Sequence, residues 1–327
     1  MNDPYIKSME NVWKGTEHVR INEGKLLELA GRMKESEMEV PAWDVVPVQP
    51  ERNCSLSHWL NFICWINTIN FAFSNFEPPF NKFAVEYPEG SFWSGAFAME
   101  ACFSRAYREG TPVFDAKYMR KISKKDVERI FRPTDKDHQI PMLWERWRIF
   151  HEIGEVLLDR YGGLWQNLFE EARWRAFRNG KGAVEQLVEF FPSFQDYRYY
   201  KSSLLCFHKR AKLLVMMYYG RAVNSEGRFP LIEDIDDIGP IADYEVPKAL
   251  KFLGVLEYSP EFEAMLNDRY VFSENDDQEV ESRLAMSYAM KRLCEEAGVN
   301  MAQADYYIWN MGRKSKDPHI LVPTTDY

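Results

Sequence analysis

Apolar residues recur every three or four positions along most of this chain, and this spacing is what most constrains its fold. Ile149, Ile153, Leu157 and Tyr161 share one face of a helix that two glycines then end. Gly and Pro number only 17 each among 327 residues, which favours long regular elements over many turns. Strand signals are weak throughout. The pattern therefore predicts an all-α fold.

The helical segments can be placed from the same spacing and from their stop signals. An apolar, aromatic stretch at 57–73 should be buried or line a pocket. We predict two regions, an N-terminal helical region over 1–200 that contributes to a pocket and a C-terminal catalytic region over 201–327, or else one compact domain. The predicted helices cover residues 94–108, 124–131, 142–161, 166–177, 183–190, 205–223, 247–254, 261–266, 278–297 and 301–312.

Charge and cysteine usage limit the partners and the compartment. The net charge is −9 and no stretch is strongly basic, so we expect no nucleic-acid partner. No apolar run reaches the roughly 18 residues that would span a membrane, and the first residues do not resemble a signal peptide. The five cysteines form no CxxC pair and are typical of reduced thiols in a cytoplasmic protein. The oligomeric state does not follow from these features.

Known motifs for metals and nucleophiles are missing from the sequence. There is no HExxH, no GxSxG and no GxGxxG after a strand, and the six histidines are scattered. A partial calcium loop runs from Asp234 to Glu245, but its fifth position is Ile238, which offers no ligand oxygen. We therefore expect no metal and no cofactor.

Asp243 lies just before a helix that Pro247 marks by its place in the first turn. Two interpretations fit this spacing. The carboxylate caps the helix, which is worth about 1 kcal/mol, or it projects into a pocket. In a pocket it could stabilise a sugar cation as a glycosidic bond breaks.

Two further charges occur in apolar surroundings. Lys209 shares a helical stripe with Leu205, Leu213 and Met216, so it either extends its amine to the surface or meets an anion such as a phosphate. Asp305 lies one turn before Trp309, a pairing that suits a purine-like base: the carboxylate accepts ring N–H groups and the indole stacks. An acid on an amphipathic helix surface is the equally open alternative.

These residues also carry a family resemblance. The segments that carry it are 207–211, 241–259 (IADYEVPKALKFLGVLEYS), 278–281 and 305–309 (DYYIW), with weaker pieces upstream such as Tyr161-Gly162-Gly163 and Phe191-Pro192-Ser193. Together they resemble the queuosine salvage proteins over most of the chain. The run at 241–259 is the most specific of them.

The resemblance implies an all-α fold similar to that of helix-hairpin-helix DNA glycosylases. It implies hydrolysis of the N-glycosidic bond of queuosine 5′-phosphate, which releases queuine for reuse in tRNA modification. By resemblance Asp243 is the catalytic aspartate, Asp305 binds the base and Lys209 lies on the phosphate side. Tyr306, Trp309 and Trp65 are candidates to stack on the base.

The sequence departs from the family pattern near Pro47, where a histidine that follows a Trp in some members is replaced, and at two positions in the C-terminal half. Ile241 replaces the usual Phe two residues before the catalytic aspartate, and Asn310 replaces an aspartate after the DYYLW-like motif. Both belong to the supposed base pocket, so they bear on which base is accepted. The alternatives are an N-glycosidase for another purine-like nucleotide 5′-phosphate, a non-catalytic nucleotide-binding protein, and a DNA glycosylase, against which the net charge argues.

Overall fold

Thirteen α-helices and six short strands make up the part of the chain that the computed structural model describes, residues 1–10, 12–44 and 46–327. The helices are α1 Glu23–Glu35, α2 Leu56–Thr68, α3 Ala96–Arg108, α4 Ala116–Met119, α5 Lys124–Ile130, α6 Leu143–Tyr161, α7 Trp165–Glu171, α8 Ala183–Phe190, α9 Lys209–Val223, α10 Glu245–Phe252, α11 Pro260–Asn267, α12 Asp277–Ala297 and α13 Met301–Gly312.

The strands correct the prediction of an all-α fold to a mostly helical one. They form three separate antiparallel pairs: β1 Val19–Ile21 with β6 Leu256–Tyr258, β2 Ala84–Glu86 with β3 Phe92–Ser94, and β4 Tyr197–Tyr200 with β5 Ser203–Cys206. Each strand has only three or four residues. Such segments are too short for a period-two pattern to stand out in the sequence.

The predicted helices are otherwise close to the observed ones. The helices predicted at 183–190 and 301–312 have the observed bounds. The helix predicted from Leu205 begins later, at Lys209, because β5 takes up 203–206. The helix predicted to end at 177 ends at Glu171.

Buried apolar residues form two clusters. The N-terminal cluster is drawn from residues between Val48 and Ile238, and the C-terminal cluster from 6–33 together with residues between Tyr200 and Val322. Helix α9 belongs to both, because Leu214 and Met217 pack in the first cluster and Met216 packs in the second. The boundary near residue 200 stays a prediction.

Helices α10 and α13 pack closely, and this contact fixes two segments that flank the candidate active site described below. A methyl group added at Gly312 of α13 would lie 2.5 Å from Cβ of Ala249 in α10, so only glycine permits the approach. The start of α13 is held by a capping box in which Asn300 and Gln303 exchange hydrogen bonds of 3.1 Å each. Nothing in the described ranges forms a helix both long and apolar enough to cross a membrane.

Candidate active site

A cavity of about 330 Å³ lies between the two clusters. Phe71 and Phe73 of the N-terminal cluster and Ile241 of the C-terminal cluster all line it, and Leu213 of α9 packs against both clusters beside it. The volume falls in the range of pockets for small ligands, roughly 300–1,000 Å³. Asp243, Lys209 and Asp305 all line this cavity, so the fold brings together three candidates that are far apart in the sequence.

Asp243 both caps a helix and lines the cavity, so the two interpretations of its position in the sequence hold together. Its Oδ1 atom accepts hydrogen bonds of 2.9 Å from the backbone N–H groups of Glu245 and Val246, so it caps α10. Its side chain also lines the cavity and is only partly exposed. Burial raises the pKa of Asp243, whereas Lys209 and the two backbone hydrogen bonds act in the opposite direction.

Lys209 is the first residue of α9 and is 4 % exposed. Its Nζ donates a hydrogen bond of 3.2 Å to the backbone oxygen of Asn70. Burial lowers the pKa of Lys209 to about 8, although the nearby carboxylates of Asp243 and Asp305 raise it. The amine therefore does not reach the surface, and its electrostatic partners are the two acids.

Asp305 lies in the middle of α13, and its Oδ1 atom is buried with no hydrogen-bond partner among the described residues. Burial raises the pKa of Asp305 to about 8; the Asp243 charge adds to the rise and Lys209 opposes it. Buried polar atoms are nearly always hydrogen-bonded in proteins. An unpaired carboxyl oxygen on a cavity wall is therefore a ready partner for a ligand.

The environments of the two acids differ in a way that separates their protonation. Asp243 has two backbone donors that favour its ionised form, whereas Asp305 has an oxygen to which no residue in the described ranges donates. We therefore expect Asp243 to be ionised and Asp305 to be protonated at neutral pH. A pair of carboxyls held in opposite states is the arrangement that acid–base and glycosidic chemistry needs.

We predict that Asp305 contributes to a fall of folding stability between pH 6.5 and 8, together with Glu100 and Glu279, whose pKa values burial raises to about 8 and about 7. The pKa of Asp305 is about 8 in the folded protein and near 4 in the unfolded chain, so the folded state holds the extra proton between these values and loses it as pH rises. His208 and His319, with pKa values lowered to about 4, give the opposite slope below about pH 6.5. Lys209, whose pKa is lowered to about 8, likewise makes stability rise with pH above about pH 8.

Urea unfolding at pH 6.5, 7.2 and 8.0 measures this effect. The Asp305→Asn variant should show a shallower fall in the free energy of unfolding than the wild type. Asp317→Asn, at an exposed position soon after α13, is the matched control and should follow the wild-type curve. Parallel curves for wild type and Asp305→Asn would contradict the prediction.

Aromatic rings form one wall of the cavity. Tyr306 and Trp309 stack at 6.2 Å between ring centroids, with 22° between their planes. Trp43 meets the edge of Tyr306 at 5.9 Å and Phe97 meets the edge of Trp309 at 6.2 Å. All four line the cavity, and such a wall suits a flat base.

Two of the proposed base-binding residues lie elsewhere. Trp65 is fully buried in the N-terminal cluster, against Phe150 and Trp165, and does not line the cavity. Asn310 is half-buried on α13 and does not line it either. Ile241 does line the cavity, so one of the two C-terminal departures from the family pattern touches the site.

Sequence reasoning missed several cavity residues, of which Glu100 is the most notable. It is 3 % exposed on α3 and faces the cavity. The sequence feature that could have identified Glu100 is an acid within a helical stretch of Ala, Met, Cys and Phe. Lys209 was identified in the same way, as a charge in apolar surroundings. Lys82 and Lys248 also line the cavity, and both pair with Glu245.

The partial calcium loop is occupied by other contacts. The Asp234 carboxylate accepts hydrogen bonds from the backbone N–H groups of Ala176 at 2.7 Å and Phe177 at 2.9 Å. In the part of the chain that the structure describes, no group of three or more His, Cys, Asp or Glu side chains could hold a metal ion.

Behind the cavity, an ion pair joins the backbones that carry Asp243 and Lys209. Arg283 of α12 makes two hydrogen bonds to Asp196, of 3.0 and 2.6 Å, and its Nε donates to the carbonyl oxygen of Ala242 at 3.0 Å. Asp196 in turn accepts a hydrogen bond of 3.2 Å from the backbone N–H of Lys209. Both partners are almost fully buried. This pair therefore sets where the two charges lie relative to each other.

Comparison with known proteins gives consistent matches over most of the chain. A family model described as queuosine salvage protein matches residues 49–325. The chain is 32% identical over 260 residues to the queuosine 5′-phosphate N-glycosylase/hydrolase of Sphaerobacter thermophilus, covering 78% of this chain and 76% of that protein. It is 31% identical over 277 residues to the protein of that name from Mus musculus, covering 81% and 79%. The match to the one from Schizosaccharomyces pombe covers 94% and 91% at 26% identity.

Proposed function

Since the chain belongs to the queuosine salvage protein family, we propose that it hydrolyses the N-glycosidic bond of queuosine 5′-phosphate and releases queuine for reuse in tRNA modification. The observation that carries the proposal is the cluster of Asp243, Lys209 and Asp305 in one ligand-sized cavity with an aromatic wall. The relatives named above bear this activity in their names.

The chemistry of the base decides what the site must supply. Queuine is a 7-deazaguanine, so an enzyme cannot assist its departure by protonating a nitrogen at position 7. The bond from C1′ of the ribose to the base breaks, water supplies OH to C1′, and the base takes the remaining proton. Asp243, ionised beside the sugar, would stabilise the ribosyl cation or attack it transiently, and then orient the water.

Asp305 would hold the guanine-like edge. A protonated carboxyl can donate to the base oxygen and accept from the adjacent ring N–H at the same time. As the glycosidic bond breaks, negative charge spreads onto the base, and a donor at the oxygen stabilises it. Tyr306 and Trp309 would stack on the ring, with Ile241 as a further wall of the base pocket.

We propose Lys209 as the cation on the phosphate side and predict the effect of removing it. Lys209→Met should lower kcat/KM for both substrates, and the loss should be at least about tenfold greater for the nucleotide than for queuosine without its phosphate. A charged hydrogen bond is lost only with the nucleotide. Turnover of both substrates, read by mass spectrometry of free queuine, gives the ratio.

Lys82→Met is the matched control for Lys209→Met, because Lys82 is a second cation on the cavity wall whose side chain is 42 % exposed. A nucleotide-selective loss in Lys82→Met alone would move the phosphate to that end of the cavity. An equal loss for both substrates in Lys209→Met would instead assign to Lys209 the role of positioning Asp243 and Asp305.

The activity itself is tested by incubating the purified protein with queuosine 5′-phosphate and measuring queuine. A panel with other purine-like nucleotide 5′-phosphates covers the second candidate, which Ile241 in the cavity wall favours. A nucleotide that raises the melting temperature without any released base would identify a non-catalytic binding protein.

The remaining proposals rest on the family resemblance and on composition. We propose that the helical frame is similar to that of helix-hairpin-helix DNA glycosylases, with a pocket-forming region before residue 200 and a catalytic region after it. The net charge of −9 argues against DNA as the substrate. The five free cysteines support a reducing compartment, the cytoplasm.

A further inference from the structure

Glu100 is a buried acid on the cavity wall for which the proposed reaction has no use. It lies on α3, is 3 % exposed, and its Oε2 accepts a hydrogen bond of 3.0 Å from the side-chain amide of Gln49. Within the described ranges it makes no other hydrogen bond and no ion pair. A buried carboxyl without a cation of its own is costly, because burial disfavours the charged form.

Glu100 is electrostatically separate from the catalytic cluster. Burial raises the pKa of Glu100 to about 8, and the Gln49 amide opposes the rise. Asp243, Lys209 and Asp305 act on one another but have no part in this shift. Glu100 thus belongs to a different part of the same cavity.

The aromatic wall lines the same cavity as Glu100. Phe97 precedes it by one turn on α3 and contacts Trp309, which in turn stacks with Tyr306, while Trp43 closes on Tyr306 from the other side. Aromatic faces attract cations, and an acid among aromatic rings is the arrangement that binds organic ammonium groups. A cationic group of a ligand would lower the pKa of Glu100 and pair with the carboxylate that results.

We infer that Glu100 recognises the secondary ammonium group in the side arm of the substrate base, and that it thereby selects queuosine over other purine-like nucleotides. This inference rests on the proposed function. Queuine carries on C7 an aminomethyl group that bears a cyclopentenediol, and a secondary amine of this kind is protonated near neutral pH. Ordinary purines have no such cation, so the ion pair forms with the modified base only.

The test compares two nucleotides that differ only in the arm: queuosine 5′-phosphate and 7-deazaguanosine 5′-phosphate. Glu100→Gln keeps the shape of the side chain and removes its charge. We expect this variant to lower kcat/KM for queuosine 5′-phosphate by roughly 10- to 100-fold, the worth of one buried hydrogen bond to a charged group. The value for 7-deazaguanosine 5′-phosphate should stay within a factor of about three.

Glu109→Gln is the matched control, because Glu109 directly follows α3 with a side chain that is 42 % exposed. It should leave both rates unchanged. An equal loss for the two nucleotides in Glu100→Gln would make Glu100 a structural residue and overturn the inference. So would an unchanged rate with queuosine 5′-phosphate.

Calorimetric binding of free queuine and 7-deazaguanine separates this inference from the proposed function, because it needs no turnover. The wild type should bind queuine at least about tenfold more tightly than 7-deazaguanine, and Glu100→Gln should lose that preference. If no nucleotide is hydrolysed but this preference exists, the proposed function fails and the inference stands. Equal affinity of the wild type for the two bases overturns the inference, whether or not Glu100→Gln folds.

Discussion

Asp243→Asn should lower kcat for queuine release about a thousandfold or more while KM changes little. The substitution removes the negative charge that would stabilise the ribosyl cation, an interaction made mainly in the transition state. It should leave the fold intact, because the amide oxygen of Asn can accept the hydrogen bonds that Oδ1 now takes from Glu245 and Val246. Asn and Asp cap helices about equally well. The rate of queuine release by mass spectrometry, with melting temperatures of both proteins, provides the measurement.

Asp236→Asn is the control for Asp243→Asn, since Asp236 is an exposed acid in the same acidic stretch before α10. It removes one negative charge from the same region and should leave kcat unchanged. If Asp243→Asn retains kcat within tenfold of the wild type, Asp243 is a helix cap and the catalytic charge must be sought elsewhere on the cavity wall.

Arg283→Met should lower the free energy of unfolding by roughly 3–5 kcal/mol, the usual effect of removing one partner of a buried ion pair. Asp196 would then remain buried without its two hydrogen bonds from the guanidinium. Burial raises the pKa of Asp196, but Arg283, Arg198 and His208 together more than offset this, so that the pKa is held below its usual value. Urea denaturation at pH 7 measures the loss.

Arg292→Met, nine residues further along α12 on its more exposed face, is the control for Arg283→Met. Arg292 pairs with Glu23 and Glu296, which are about half exposed, and such pairs contribute roughly 0–1 kcal/mol. Arg283→Met should also reduce queuine release, because the carbonyl of Ala242 loses its donor beside Asp243. A stability loss below 1 kcal/mol for Arg283→Met would contradict the role given to this pair.

The helices could be predicted from the sequence because their apolar periodicity extends over two or more turns, as in α6 and α12. The three strand pairs could not, because three or four residues do not establish a period. The pair β4–β5 shows the consequence: Leu205 continues the apolar stripe of α9 in the sequence, yet it belongs to a strand.

Charged residues were a more consistent guide to the cavity than aromatic residues, of which Tyr306 and Trp309 line it but Trp65 does not. Lys209, Asp243 and Asp305 line it, because a charge is placed in a protein interior only where something compensates its burial. Trp65 and Trp309 look alike in sequence, but one packs in the core and the other lines the cavity. An aromatic side chain stabilises a protein simply by being buried in the core. The residues next to it in the sequence therefore do not show whether it packs in the core or lines a ligand site.

Helix α9 contributes to both apolar clusters, and Lys209 at its start lies in the cavity between them. A change of packing on either side of α9 is therefore transmitted along one helix to the cation in the cavity. The stability of the fold and the position of that cation depend on the same element, so we expect a large-to-small substitution in the middle of α9 to lower both stability and activity without touching the ligand.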